Sequence, residues 1–284
     1  MNKIGFNILP WTAGVSSKAF PILDRLKEIG YDGVEVFIGS PDQEEYKALA
    51  EHAKNLGLEV NAVTVLGLDE NPISPDKKTR DQGIERIKWA IDRAQDLGAE
   101  ILCGPFHSTH GFFTRAAPTE QEYQWAAEAL RIAGDHAQKA GITLTPEAVN
   151  RFENYLASCI DHLSYLIELT NHPNVKGMYD THHANIEEKN VTRSIQKIAP
   201  NLAHVHISEN DRGTPGKGLV HWDEVFQSFH DINYKGWYTI EAFSRADPDF
   251  ANSINVWREY SDPWEIAESG YNFIKTNLEK FEKK

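Results

Sequence analysis

An α/β fold is expected from this sequence, a (β/α)8 TIM barrel forming a single domain over residues 1–284, and three observations carry that expectation. One phrase keeps returning: a polar, helix-periodic stretch closes on a small or apolar residue plus Gly, and a short β-rich run follows. Strand candidates number eight, with stretches of helical apolar spacing between them. No linker or low-complexity segment divides the chain. Strict alternation of strand and helix implies parallel strands joined by crossover helices, and eight such units in 284 residues fit a closed barrel.

In chain order, the opening run Lys3 to Leu9 is the first strand. Ile29-Gly30 precedes Gly33-Val-Glu-Val-Phe-Ile38, Leu56-Gly57 precedes Glu59 to Leu66, Leu97-Gly98 precedes Glu100-Ile-Leu-Cys103, and Ala140-Gly141 precedes Ile142 to Thr145. Each Gly is a natural helix C-cap because it enters the left-handed region freely. Val175 to Asp180, Leu202 to Ser208 and Gly236 to Phe243 complete the strands. Helical periodicity is plainest over Gly83 to Ala94, Ala126 to Ala137 and, after the last strand, Pro263 to Leu278. An open doubly wound sheet is the alternative, yet no GxGxxG turn follows the first strand. Gly213-Thr-Pro-Gly-Lys-Gly218 lacks the spacing of a phosphate loop and has no Ser or Thr after Lys217.

Composition excludes several functions. The formal net charge of −13 is the wrong sign for a protein that binds nucleic-acid phosphates. No apolar run approaches the roughly 18 residues of a membrane span, and Met1 to Trp11 lacks the pattern of a signal peptide, so a cytoplasmic protein without membrane or nucleic-acid partners is expected. Cys103 and Cys159 stand far apart without CxxC spacing and are expected to be reduced core residues.

A barrel of this kind carries its site at the C-terminal ends of its strands. There the fifth strand offers Thr143, Thr145 and Glu147 at period two, the sixth ends in Asp180, the seventh carries His204 and His206, and the eighth Thr239 and Glu241. Glu147, Asp180, His206 and Glu241 can therefore converge at the barrel mouth. A single acid at a strand end is ordinarily a solvated loop residue. Three carboxylates and one imidazole on four consecutive strands instead suit an oxygen-preferring divalent ion, Mn²⁺, Mg²⁺ or Co²⁺. Eight of the twelve histidines fall between His162 and His230. His162, His172, His221 and His230 are expected on helices or turns, whereas His182 and His183 follow Asp180 directly and can reach the mouth.

These residues also carry a resemblance. Glu147-Ala-Val-Asn-Arg-Phe-Glu153, Asp180-Thr-His-His183, His206-Ile-Ser-Glu-Asn-Asp-Arg212 with Pro215-Gly-Lys-Gly218, and Glu241-Ala-Phe243 together resemble the ketose 3-epimerases, the D-tagatose and D-psicose (D-allulose) 3-epimerase family of the xylose isomerase-like barrels. The resemblance implies that Glu147, Asp180, His206 and Glu241 hold one divalent ion, Mn²⁺ foremost with Co²⁺ or Mg²⁺ as alternatives. It implies that Glu147 and Glu241 are the acid/base pair, that Glu153, His183 and Arg212 hold the O1 to O3 end of the sugar, and that the protein is a homodimer or homotetramer. The amino-terminal half departs from the family pattern at Gly5-Phe-Asn-Ile-Leu-Pro-Trp11 and at Gly104-Pro-Phe-His-Ser-Thr-His-Gly-Phe-Phe113. Trp11, His107 and Phe113 are accordingly expected to contact substrate, with Phe37, Phe106 and Phe112 as further pocket walls.

The expected reaction is inversion at C3 of a free ketose through a metal-stabilised cis-enediolate, with one glutamate serving each face. A related metal-dependent sugar isomerase, an inosose-type dehydratase, or a 3-keto-sugar lyase or hydrolase would use the same barrel and ion. A metal-dependent endonuclease of the related barrel class conflicts with the acidic charge, and a sugar-binding barrel without catalysis has no need of two opposed carboxylates.

Overall fold

The computed structural model describes residues 2–282. Eight strands, β1 (Lys3–Asn7), β2 (Gly33–Phe37), β3 (Glu59–Val63), β4 (Ile101–Gly104), β5 (Thr143–Pro146), β6 (Gly177–Asp180), β7 (Leu202–Ile207) and β8 (Trp237–Ile240), form one sheet in the order β5-β4-β3-β2-β1-β8-β7-β6. All ladder pairs are parallel. The ring closes between β5 and the entry to β6 through a single bridge, Leu144 with Val175, where Leu144 N–H donates to Asn174 O and Lys176 N–H to Leu144 O, both at 2.8 Å. The architecture is thus the TIM barrel that the alternating pattern predicts.

The helices between strands are α1 (Phe20–Ile29), α2 (Gln43–Leu56), α3 (Lys77–Asp96), α4 (Glu120–Ala140), α5 (Ile160–Thr170), α6 (Thr181–Glu187), α7 (Val191–Ile198) and α8 (Trp222–Asp231), and α9 (Pro248–Ser253) and α10 (Pro263–Glu282) follow β8. Local chemistry sets their ends. Thr119 and Glu122 form a capping box at the start of α4, and Gly141 at φ +75° closes it. Two short helices differ from the expected one-helix-per-strand plan. Helix α6 starts directly at the end of β6 because Asp180 caps it, accepting the N–H of His182 at 2.6 Å and of His183 at 3.2 Å. Helix α9 lies in the long connection after β8, capped by Asp247.

The apolar core occupies two places. A large cluster fills the space between sheet and helices, and a small one, Val63, Ile101, Cys103, Met178 and Trp237 with Phe37 against it, lies inside the barrel. Interleaved with it on the inward faces of the strands are the polar residues Asn7, Glu35, Asn61, Thr145, His204 and His206, all buried. Cys103 matches its expected place in the core. Cys159 does not: it is half-buried, because it is the residue preceding α5 rather than part of a strand or helix face. Among the described residues no helix is long and apolar enough to cross a membrane.

Candidate active site

The four strand-end residues meet. Glu147 stands one residue past β5, where its N–H donates to Gly104 O at 3.1 Å and its carbonyl accepts from His107 Nε2 at 2.9 Å. Gly104 adopts φ +121° and a Cβ there would collide with Thr64 O, so only glycine lets β4 turn close enough to hold Glu147. Asp180 ends β6, His206 lies on β7, and Glu241 follows β8 with its N–H on Ile207 O at 3.3 Å. All four are buried, and one potential ligand atom of each lies within 4.8 Å of the others.

Arg212 enters this cluster from the loop after β7. Its Nη1 donates to Asp180 Oδ2 at 2.8 Å, Glu241 Oε2 at 2.7 Å and Ser208 Oγ at 2.9 Å. Its backbone sits at φ +61°, uncommon for a residue with a side chain, and is pinned by Arg212 N–H to Glu209 O at 3.0 Å and Phe243 N–H to Arg212 O at 2.8 Å. The loop is knitted by buried Glu209, whose carboxylate accepts from Gly216 N–H at 2.9 Å, Val220 N–H at 3.0 Å and Trp222 Nε1 at 2.9 Å.

The electrostatics are uneven. Burial, reinforced by the charges of Glu241 and Asp180, pushes the Glu147 carboxyl well above its usual range. Burial would raise Asp180 as well, but Arg212, His183 and His206 outweigh it and hold that carboxyl well below. At His206 desolvation is outweighed by Glu35, Glu241 and Asp180, which raise its pKa well above that of a free imidazole.

The donor set fits a divalent cation. Glu147 Oε1 and His206 Nδ1 are both buried without a hydrogen-bond partner, and such orphans inside a cluster are costly unless something binds them. With the three carboxylates ionised and His206 neutral, the forms in which such groups ligate, Arg212 supplies one positive charge against three negative, which leaves two for a divalent ion. His206 Nδ1 lies 3.6 Å from Asp180 Oδ2 and 3.4 Å from Glu241 Oε2, too far for hydrogen bonds.

Beside the cluster opens a cavity of about 580 Å³, lined on the cluster side by Glu147, Glu241, Arg212, His182, His183 and Glu153. Glu153 accepts from Asn150 Nδ2 at 2.7 Å and faces His110 Nε2 at 3.2 Å. Burial would raise its carboxyl, but His110, His183 and Arg212 hold it far below the usual range. His183 takes the Asn150 N–H on Nδ1 at 3.1 Å and has Arg212 Nη2 2.9 Å from Nε2, and burial depresses its pKa to about 3 despite Asp180.

The structure draws the far wall differently from the sequence expectation. Trp11, His107 and Phe113 do not line the cavity. Trp11 packs behind it between Phe6 and Trp264, with ring centroids 5.2 and 4.5 Å away. His107 is fully buried beneath Glu147, held neutral by a burial-depressed pKa of about 4, and supports the Glu147 backbone. Phe112 and Phe113 lie half out in solvent on the loop after β4, because that loop folds outward over Glu153, with Gly111 N–H on Glu153 O at 2.8 Å. Phe106 is core; of the expected aromatics only Phe37 reaches the cavity. The wall is built instead by Leu9, Val63, Val65, Phe152, Phe243, Phe250 and Tyr260. His162, His172, His221 and His230 lie away from it, as expected.

Sequence reasoning missed Glu35. It sits inside β2 and accepts from His206 Nε2 at 2.9 Å and His204 Nε2 at 2.8 Å. Burial would raise this carboxyl, but the two imidazoles hold it well below its usual range. The available signal was a lone acid within Gly33-Val-Glu-Val-Phe37, on the inward face of an otherwise apolar strand.

The family profile described as xylose isomerase-like TIM barrel matches residues 23–260. A ketose 3-epimerase of Arthrobacter globiformis is 33% identical over 285 residues, covering 97% of this chain and 96% of that protein. The chain belongs to the ketose 3-epimerases of the xylose isomerase-like barrels. Family membership makes it a carbohydrate epimerase, an enzyme of the isomerase class. A solved L-ribulose 3-epimerase superposes with a TM-score of 0.94 at 29% identity over 100% of this chain and 96% of that one. The D-allulose 3-epimerase of Methylomonas sp., solved in complex with D-allulose, gives a TM-score of 0.90 at 27% identity over 97% of each chain.

Proposed function

We propose that this epimerase inverts C3 of a free ketohexose or ketopentose, with Glu147 and Glu241 exchanging the proton on opposite faces and Glu147, Asp180, His206 and Glu241 holding one divalent cation. The observation that carries the reading is the meeting of these four buried side chains, two of which, Glu147 and Glu241, line a sugar-sized cavity. Mn²⁺ suits the oxygen-rich donor set, with Co²⁺ and Mg²⁺ as chemical alternatives. When bound, the ion supplies Lewis-acid stabilisation of the negative charge that develops on the C2 oxygen as the C3 proton leaves.

The remaining chemistry belongs to the side chains. A single carboxylate cannot reach both faces of a planar enediolate, and Glu147 and Glu241 come from β5 and β8, which three strand steps separate around the ring. Their surroundings differ. Glu147 Oε1 is buried without a hydrogen-bond partner, whereas Glu241 is ion-paired with Arg212 at 2.7 Å. Glu153, His183 and Arg212 hold the hydroxyls near the reacting carbon; each charge-assisted bond contributes about 1.5–3 kcal/mol.

Among the described residues that line the cavity, Arg212 is the one Lys or Arg, and it is already engaged by two carboxylates. That supports an unphosphorylated sugar. The test is NMR of ketohexoses, ketopentoses and their terminal phosphates in D₂O with Mn²⁺-loaded enzyme. Deuterium at C3 with formation of the C3 epimer of a free ketose is expected. An aldose product, an elimination product, or turnover of phosphates alone would replace this reading with an isomerase, dehydratase or sugar-phosphate one.

A further inference from the structure

Below the strand-end cluster, Glu35 reaches inward from β2 and is fully buried. Four donors surround its carboxylate. His206 Nε2 at 2.9 Å and Asn7 Nδ2 at 2.8 Å point to Oε1; His204 Nε2 at 2.8 Å and the Cys103 thiol at 3.2 Å point to Oε2. The Asn7 amide and the Cys103 thiol donate one to each oxygen whatever the rings do, and a carboxylate engaged in this way on both oxygens is acceptor-only toward the rings. The Asn7 amide is not free to turn over, because its Oδ1 already accepts the Leu9 N–H at 3.1 Å. Asn7 and Glu35 are also direct partners in the β1–β2 register.

An acceptor-only partner dictates the state of each ring. Both imidazoles must present Nε2–H to Glu35, so the lone pair of neutral His206 lies on Nδ1. That is the atom found buried without a partner and facing Asp180 and Glu241. We propose that Glu35 is the positioning residue of the ion site: it sets the tautomer and the ring orientation that make His206 Nδ1 a ligand, while Asn7 and His204 hold Glu35 in place. The inference rests on the ion site proposed above. Ligating histidines commonly give their second N–H to such a carboxylate, and losing it lowers metal affinity by about 10- to 100-fold.

A competing arrangement exists, since Glu35, Cys103, His204 and His206 also have ligand atoms within 4.8 Å of one another and could gather around an ion themselves. His206 Nε2 would then be a ligand and not a donor.

The experiment measures Mn²⁺ affinity by chelator competition on wild type, Glu35→Gln and His204→Gln, together with the melting temperature of each metal-free protein. Co²⁺-loaded samples are examined by proton NMR for the exchangeable, hyperfine-shifted ring N–H of His206. Glu35→Gln should keep its metal-free melting behaviour, lose about 10- to 100-fold in affinity and lose or rapidly exchange that resonance. His204→Gln keeps a donor for Glu35 and removes only an edge-on ring contact with His206, at 5.2 Å between centroids, so both readouts should stay close to wild type. If Glu35→Gln does not fold, Asn7→Ala removes one brace of Oε1 and should give a smaller loss in the same two readouts.

Unchanged affinity and resonance in the Glu35 variant, or in Asn7→Ala where that variant stands in, would overturn the proposal. So would an equal loss in His204→Gln, which would mark general damage to the interior. A second ion per chain that disappears in Cys103→Ser would assign the four lower groups to an ion instead. Failure of wild type to bind any ion would remove the ion site itself, and this inference with it.

Discussion

Residues at or near the ends of β5 to β8 bring Glu147, Asp180, His206 and Glu241 together, whereas the ends of β1 to β4 bring Leu9, Phe37, Val63, Val65 and Pro105 to the cavity beside them. One half of the ring supplies charged and ionisable side chains, and the other supplies shape. The difference follows from solvation. A carboxylate brought into a barrel mouth is costly unless something uses its charge, while an apolar side chain there needs no further partner. Glu35 crosses the division from below, an amino-terminal residue serving a carboxy-terminal one.

The sharpest way to break the comparison is to remove one acid/base group. Glu147→Gln and Glu241→Gln can each still offer an amide oxygen but cannot exchange a proton, and epimerisation should fall by about 10²- to 10⁴-fold. Each metal-retaining variant should wash deuterium into C3 of one epimer only, and the two variants should choose opposite epimers. Exchange from both epimers in one variant, followed by NMR, would show a single base.

His107 tests whether the amino-terminal half acts on stability rather than chemistry. Burial disfavours its imidazolium and pushes its pKa down to about 4, from 6.5 for a free imidazole. Between those two values the unfolded chain binds a proton that the folded chain does not, so stability should fall as pH drops through that window, by about 3 kcal/mol from this group. Urea unfolding at intervals from pH 7 to 4 measures the slope. His107→Gln, which keeps a donor for the Glu147 carbonyl, should flatten it.

Arg212→Ala and His183→Ala probe the substrate-holding layer. Each should lower kcat/KM by roughly 10- to 100-fold while keeping a stoichiometric ion, since neither is a proposed ligand. Elemental analysis finding the ion lost would redraw the site. The smallest effect belongs to the wall: Val65→Ala should raise KM by roughly fivefold through about 1 kcal/mol of lost apolar contact, with kcat unchanged. A fall in kcat instead would mean that the wall aligns the reacting carbon.

What the sequence made legible follows the same division. The barrel was readable because helix-capping glycines and β-rich runs repeat in fixed order, and the Glu147, Asp180, His206 and Glu241 group because charged residues at period two stand out against apolar strands. Leu9, Val63 and Val65 were illegible as pocket residues, since an apolar residue at a strand end reads as core. Trp11 and Phe113 drew attention as aromatics, yet the chain turns one inward behind the wall and the other toward solvent. Loop direction is fixed by long-range bonds such as Gly111 to Glu153, which no local pattern encodes.

Arg212 has a consequence of its own. Its left-handed backbone costs about 1–2 kcal/mol, and freezing a free arginine side chain costs up to about 2 kcal/mol of rotamer entropy. Both are met during folding, by the Glu209-braced loop and by three acceptors gathered around one guanidinium nitrogen. A sugar arriving in the cavity therefore finds its cation already immobile. The ordering entropy has left the binding equilibrium and become part of the protein's own stability, so variants that loosen the Glu209 loop should weaken sugar binding without altering any group that touches the sugar.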